Sequence, residues 1–133
     1  MSRGQSLVEL ALCAPLVILL TLVAVASVQI IDARAGLAAA TQAAAAEAAR
    51  APDPASAQSA ASSRFRSMVA SYPLSSPHLD IAFGRFSRTD EVVATATSAV
   101  DISWAGLAFP RRVTVDFRAT VPLESWRSRK PSP

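Results

Sequence analysis

The side chains that most often carry chemistry are few in this sequence and stand far apart. There is one histidine, His78, and one cysteine, Cys13. A Ser-His-Asp arrangement would depend on His78, and no GxSxG motif accompanies it; a zinc site would need several more such ligands. The adjacent Asp90 and Glu91 would point to opposite faces of a strand. We therefore read His78 as a surface loop residue and predict no enzyme activity, cofactor or metal.

The charge distribution also argues against a nucleic-acid partner. The net charge is +3 and the sequence pI is about 10.0, but the arginines are spread along the chain without a basic stripe or interleaved aromatic residues. A small basic cluster at Arg127, Arg129 and Lys130 is read as a solvated end, with contact to anionic lipid or an acidic partner as the alternative. The four glycines are scattered, so no phosphate-binding loop or small-molecule substrate is predicted.

One carboxylate, Glu9, is out of keeping with its surroundings. It comes directly before an uncharged run from Leu10 to Ile31, whose clearly polar members are Thr21, Ser27 and Gln29. As a helix this run is about 33 Å long, enough to cross a hydrocarbon core of about 30 Å. A membrane anchor does not need Glu9, and a signal peptide would be better without it. The carboxylate therefore indicates a further function.

The helical pattern continues beyond the apolar run. Residues 32–50 are almost all strong helix formers, with Gly36 as the single weak point, and the two prolines of residues 51–54 end the pattern. Pro15 inside the run should loosen or kink the helix, and Cys13 is read as a small packing residue. We predict one helix of about 65–70 Å. Its smooth alanine surface either allows close helix packing or reflects a biased composition.

A second helix is predicted from Pro54 to about Ser71, capped by Asp53. One apolar stripe along it has helical spacing and comprises Ala57, Ala61, Phe65, Met68 and Tyr72. This helix should pack on the segments that follow.

Beyond a turn-rich break at residues 73–77 the apolar pattern changes to a period of two, which predicts strands. The segments are 79–84, 91–104 and 113–121. Trp104 ends the apolar face of the second, and Trp104 and Trp126 are read as core and edge anchors. We predict an α+β fold, in which a small three-stranded antiparallel sheet is covered by helix 54–71 or by the long helix.

The N-terminus has the order of a processing site. The segment Gly4-Gln5-Ser6-Leu7-Val8-Glu9, followed by the apolar run, resembles a type IV prepilin leader. With Pro15 and the alanine-rich continuation it resembles more narrowly the TadE-like proteins of the tight-adherence (Flp) pilus system. The resemblance implies that a prepilin peptidase cuts after Gly4, that Gln5 becomes the N-terminus, and that Glu9 becomes the fifth residue of the mature chain.

The resemblance also implies an organisation and a location. Residues 1–4 are then a leader, 5–31 a transmembrane helix, 32–50 an alanine-rich stalk and 54–133 a small extracytoplasmic domain, with the N-terminus cytoplasmic. The partners are membrane lipid, the peptidase and other pilin or pseudopilin subunits. In such an assembly the Glu9 carboxylate pairs with the N-terminal amine of a neighbour, which offsets the cost of burying either charge. The alternative is a Glu9 solvated at headgroup level near the helix N-terminus.

Two other interpretations remain open at this point. Ala24-Val25-Ala26 fits the rule for signal peptidase, so cleavage after Ala26 would release a small secreted binding domain. An unprocessed single-pass membrane protein is the other. The mature N-terminus distinguishes all three interpretations: it would be Gln5 for the pilin-like protein, Ser27 for the secreted domain, and Met1 or Ser2 for the unprocessed protein.

Overall fold

A computed structural model describes residues 3–84, 91–108 and 111–122. Its elements, in chain order, are α1 (Arg3–Arg50), α2 (Pro54–Val69), β1 (Ser75–Phe83), β2 (Glu91–Asp101), the 3₁₀ helix η1 (Ser103–Ala108) and β3 (Arg112–Pro122). The strands form one antiparallel sheet in the order β1-β2-β3. The predicted α+β class and the three-stranded antiparallel sheet are therefore confirmed.

The long helix α1 is continuous through Pro15 and is about 72 Å long at 1.5 Å per residue. It ends at Arg50, before the predicted proline break. Asp53 then caps α2 as predicted, because its Oδ1 accepts a hydrogen bond of 2.8 Å from the Ser56 N–H and so satisfies a donor that the first helical turn leaves open. At its other end α2 stops at Val69, two residues before the predicted Ser71.

The alanine-rich half of α1 lies in the middle of the core. Its buried residues lie on a broad face and are nearly all small: Ala33, Gly36, Leu37, Ala40, Thr41, Ala44, Ala45, Ala48 and Ala49. This face packs against α2 and against strands β2 and β3, while α2 also contacts β1. Small side chains let these elements approach closely, which agrees with the first of the two interpretations of the alanine surface, but the partners belong to the same chain.

Most of segment 32–50 is part of the folded unit. They were predicted as a stalk outside the domain at 54–133, whereas residues from Ala33 onward belong to the same hydrophobic cluster as α2 and the sheet. The sequence left open which helix covers the sheet, and α1 provides most of the cover. The folded unit therefore begins inside α1.

The strands alternate as predicted. Val115 and Ala119 in β3 are buried and Thr114 and Arg118 are exposed. On the buried face of β2 the sequence reading missed Ser98, which is 4% exposed and donates a 3.0 Å hydrogen bond to the Ser75 carbonyl. This bond satisfies a buried hydroxyl where β1 carries a bulge.

Two residue predictions are wrong. His78 is not in a loop; it is an exposed residue of β1 paired with Thr97, because the bulge takes up Pro77 and lets the strand begin at Ser75.

Trp104 is not in the core; it lies in η1 with 46% of its surface exposed, since β2 ends at Asp101. Trp126 and Asp90 lie outside the described residues.

Gly36 has a packing role that its low helix propensity does not suggest. The ring of Tyr72, which follows α2, lies directly over it, and a Cβ at position 36 would overlap the ring. Since Tyr72 follows α2 and Arg50 precedes it, this contact also shows that α2 runs back along α1. The glycine therefore permits the close approach that closes the helix pair.

We expect Gly36→Ala to destabilise the fold by about 1–2 kcal/mol, because the overlap with Tyr72 outweighs the better helix propensity of alanine. The measurement is chemical unfolding in detergent, followed by near-UV circular dichroism. In a Tyr72→Ala background, which removes the overlapping atoms, the same substitution should become neutral or stabilising. Equal effects in both backgrounds would contradict this contact.

Candidate membrane and assembly surface

The N-terminal half of α1 projects from the folded unit with apolar side chains on every side. Large exposed residues occupy it from Leu7 to Ile31, among them Leu10, Leu12 and Leu16. A helix that is apolar all round is found within a large core or in a membrane. In the part of the chain described, α1 is the one helix long and apolar enough to cross a membrane, and its place near the N-terminus suits a signal sequence as well.

The polar side chains of the apolar run already have hydrogen-bond partners. The Thr21 hydroxyl donates to the Val17 carbonyl at 2.8 Å, and the Ser27 hydroxyl donates to the Val23 carbonyl at 2.7 Å. Such bonds to the preceding helical turn lower the cost of placing hydroxyls in hydrocarbon, where water offers no alternative partner. Both residues are therefore compatible with a lipid environment.

The predicted processing and assembly residues lie in the first turns of α1. Gly4, Gln5 and Glu9 are all exposed, and a Cβ at Gly4 would meet open space, so the fold of this chain does not require a glycine there. Gln5 and Glu9 are four residues apart and share one helix face. The structure brings these two together and presents Glu9 outward. Cys13, predicted to pack, is also exposed.

The end of the apolar run is held by the folded unit. Ala26 is 3% exposed, and three residues later the Gln29 Oε1 accepts a 3.0 Å hydrogen bond from Trp104 Nε1. Gln29 also borders an open, mostly apolar groove of about 390 Å³, which Pro73 and α1 residues such as Val25 and Val28 line. Sequence reasoning missed this junction; the available signal was Gln29, an amide in an apolar run.

Hydrogen bonds at the start of η1 and between its flanking residues help to position Trp104. The Ser103 N–H donates to Asp101 Oδ1 at 2.9 Å, and this bond is the main cause that lowers the pKa of the Asp101 carboxyl. The Ile102 N–H donates to the Arg111 carbonyl at 3.1 Å and closes the connection between β2 and β3. Trp104 is therefore held beside α1 by its own hydrogen bond and by the bonds of the residues that precede and follow η1.

Comparison with protein-family models, with curated proteins and with solved structures gives no match. Within residues 3–84, 91–108 and 111–122, no three His, Cys, Asp or Glu residues are grouped so that they could hold a metal ion. The features that remain for a functional argument are the projecting apolar helix, the Glu9 carboxylate at its start and the Trp104 junction at its end.

Proposed function

We propose that this chain is a membrane-anchored, pilin-like structural protein, a minor pilin or pseudopilin that helps to assemble a Flp/Tad-type pilus or a related secretion system. Residues 1–4 are its leader, the N-terminus is cytoplasmic, and the domain that begins within α1 is extracytoplasmic. The observation that supports the proposal most directly is the outward-facing Glu9 carboxylate. It stands at the start of an unpartnered apolar helix, five residues after Gly4.

The exposed N-terminal half of α1 needs a cover of lipid or of other subunits. Lipid can cover its apolar side chains, but the hydrocarbon interior offers no counter-charge to Glu9. After cleavage behind Gly4, each subunit carries an amine on Gln5 beside such a carboxylate. When subunits pack side by side, amine and carboxylate of neighbours meet in a low-dielectric bundle, where each lowers the cost of burying the other. Assembly is then favoured over the isolated subunit.

The test of this proposal is the mature N-terminus. The native protein is purified from its membrane fraction, and its intact mass and N-terminal peptide are measured. A start at Gln5 supports the pilin-like route. A start at Ser27 supports the secreted domain, which would keep the core from Ala33 onward, and a start at Met1 or Ser2 means an uncut anchor.

We expect Gly4→Leu to prevent processing, because the peptidase must accept the residue on the leader side of the cut, whereas the fold leaves open space around Gly4. The mass of the variant should then correspond to the uncut chain, with an unchanged unfolding midpoint. The matched control is Ser6→Ala, which lies beyond the cut and should be processed. A normal mature mass for Gly4→Leu would show that Gly4 is not the peptidase site.

A further inference from the structure

We propose that the end of the domain that carries Trp104 is a second membrane contact, inserted at the boundary between hydrocarbon and headgroups beside the emerging helix. This inference rests on the membrane-spanning part of the proposed function and is independent of pilus assembly. The lipid bilayer covers the exposed surface around Trp104 and fills the neighbouring groove.

The depth of Trp104 is fixed by its hydrogen bond to Gln29. Asp32 is the first charged residue after the apolar run, and it lies about 4.5 Å beyond Gln29 along the helix axis. If Asp32 stands at the water side of the interface, Trp104 lies about one helical turn deeper. That is the level at which tryptophan is enriched in membrane proteins, because its ring is apolar and its N–H is polar.

The groove, which shares Gln29 with the Trp104 contact, extends to the same depth. Its wall on α1 runs from Ala24 and Val25 to Asp32, and Pro73 closes the other side. The wall covers about 12 Å along the helix axis and changes from apolar to charged in the direction away from the membrane. The domain therefore overlaps the last two turns of the apolar run instead of standing clear of the bilayer.

The sequence and the charge at this end of the sheet are also suited to contact with the bilayer. Residues 103–110, which join β2 to β3, carry no charge. The exposed Arg111 and Arg112 follow directly in the sequence. Asp101, the cross-strand partner of Arg112, offsets one of these two charges, and the remaining positive charge can contact lipid phosphates. An exposed tryptophan on an uncharged segment, with a net positive charge next to that segment, suits contact with an anionic membrane surface.

The test is depth-dependent quenching of tryptophan fluorescence in the full chain. Trp126→Phe leaves Trp104 as the only tryptophan, and the protein is reconstituted into vesicles of phosphatidylcholine and phosphatidylglycerol. Bromines are placed on the upper acyl carbons of the lipid in one of two parallel samples. We expect the brominated lipid to reduce Trp104 emission about twofold or more, as for tryptophans of the membrane interface.

The matched control moves the reporter to the far end of the sheet. Thr120 is exposed near the end of β3 that pairs with the start of β2, so Thr120→Trp in a Trp104→Phe, Trp126→Phe chain should not be quenched. If the chain floats with the vesicles and Trp104 is quenched no more than position 120, the inference is overturned. The same weak quenching would be seen if a second copy of the chain covered Trp104 in place of lipid, and it overturns the inference in that case too. A chain that does not float, or a mature start at Ser27, overturns this inference together with the membrane span, whereas a start at Met1 or Ser2 contradicts only the pilin-like route.

Discussion

Replacing Glu9 with alanine should leave the chain in the membrane fraction and lower its recovery with partner subunits about tenfold or more, since loss of one member of a buried charge pair leaves the other unpaired. Insertion itself should not suffer, because the substitution removes the charge that borders the apolar run. The measurement is co-purification of tagged chain from native membranes, with partners quantified by mass spectrometry.

Two further variants at this position separate charge from shape. Glu9→Asp keeps the carboxylate on a shorter side chain and should retain most of the partner recovery. Glu9→Gln keeps the shape of the side chain without its charge, so its partner recovery should be as low as that of Glu9→Ala. If recovery is the same for the native chain and for Glu9→Ala, Glu9 has no part in assembly and acts only as a solvated residue at the membrane surface.

Enlarging a core alanine should destabilise the folded unit more than any other single change considered. Ala44 is completely buried in the cluster that α1 forms with α2 and the sheet. Ala44→Leu adds three carbons where helix and sheet are already in contact, so we expect the free energy of unfolding to fall by about 3 kcal/mol. Chemical unfolding in detergent, read by near-UV circular dichroism, measures the change.

The matched control for this substitution is Ala35→Leu on the same helix. Ala35 is exposed, and leucine has nearly the helix propensity of alanine, so the unfolding midpoint should stay within experimental error. An Ala44→Leu chain as stable as the control would mean that α1 is not packed as closely as the structure has it. The pair therefore tests the interior position of the alanine-rich segment.

The local patterns of the sequence predicted the elements well, because burial on one face imposes a period directly on neighbouring residues. The alternation of Val113 to Val121 is confirmed for that reason, and the Asp53 cap is confirmed because its hydrogen bond reaches only three residues along the chain. Contacts between residues distant in sequence leave no such period. The bond between Gln29 and Trp104 joins residues 75 positions apart, and Tyr72 meets Gly36 only because α2 turns back along α1.

The candidate site was predictable only in part for the same reason. The position of Glu9 before the apolar run and its spacing from Gly4 are features of consecutive residues. The membrane-proximal end of the domain depends instead on where β2 stops, and the pattern that continued to Trp104 gave no sign of the 3₁₀ helix. The stalk prediction failed because a run of alanine has the same composition in a free helix and in a tight core.

Because α1 is one continuous helix, the direction in which Glu9 points around the helix axis is fixed relative to the direction in which the domain faces. Deleting one residue between Glu9 and Ala26 would shorten the chain by only about 1.5 Å but would turn the domain about 100° around the helix axis. Deleting seven would shorten it by about 10 Å and restore its orientation to within about 20°. The number of residues in this segment therefore determines which side of the domain a neighbour meets when their Glu9 residues face each other.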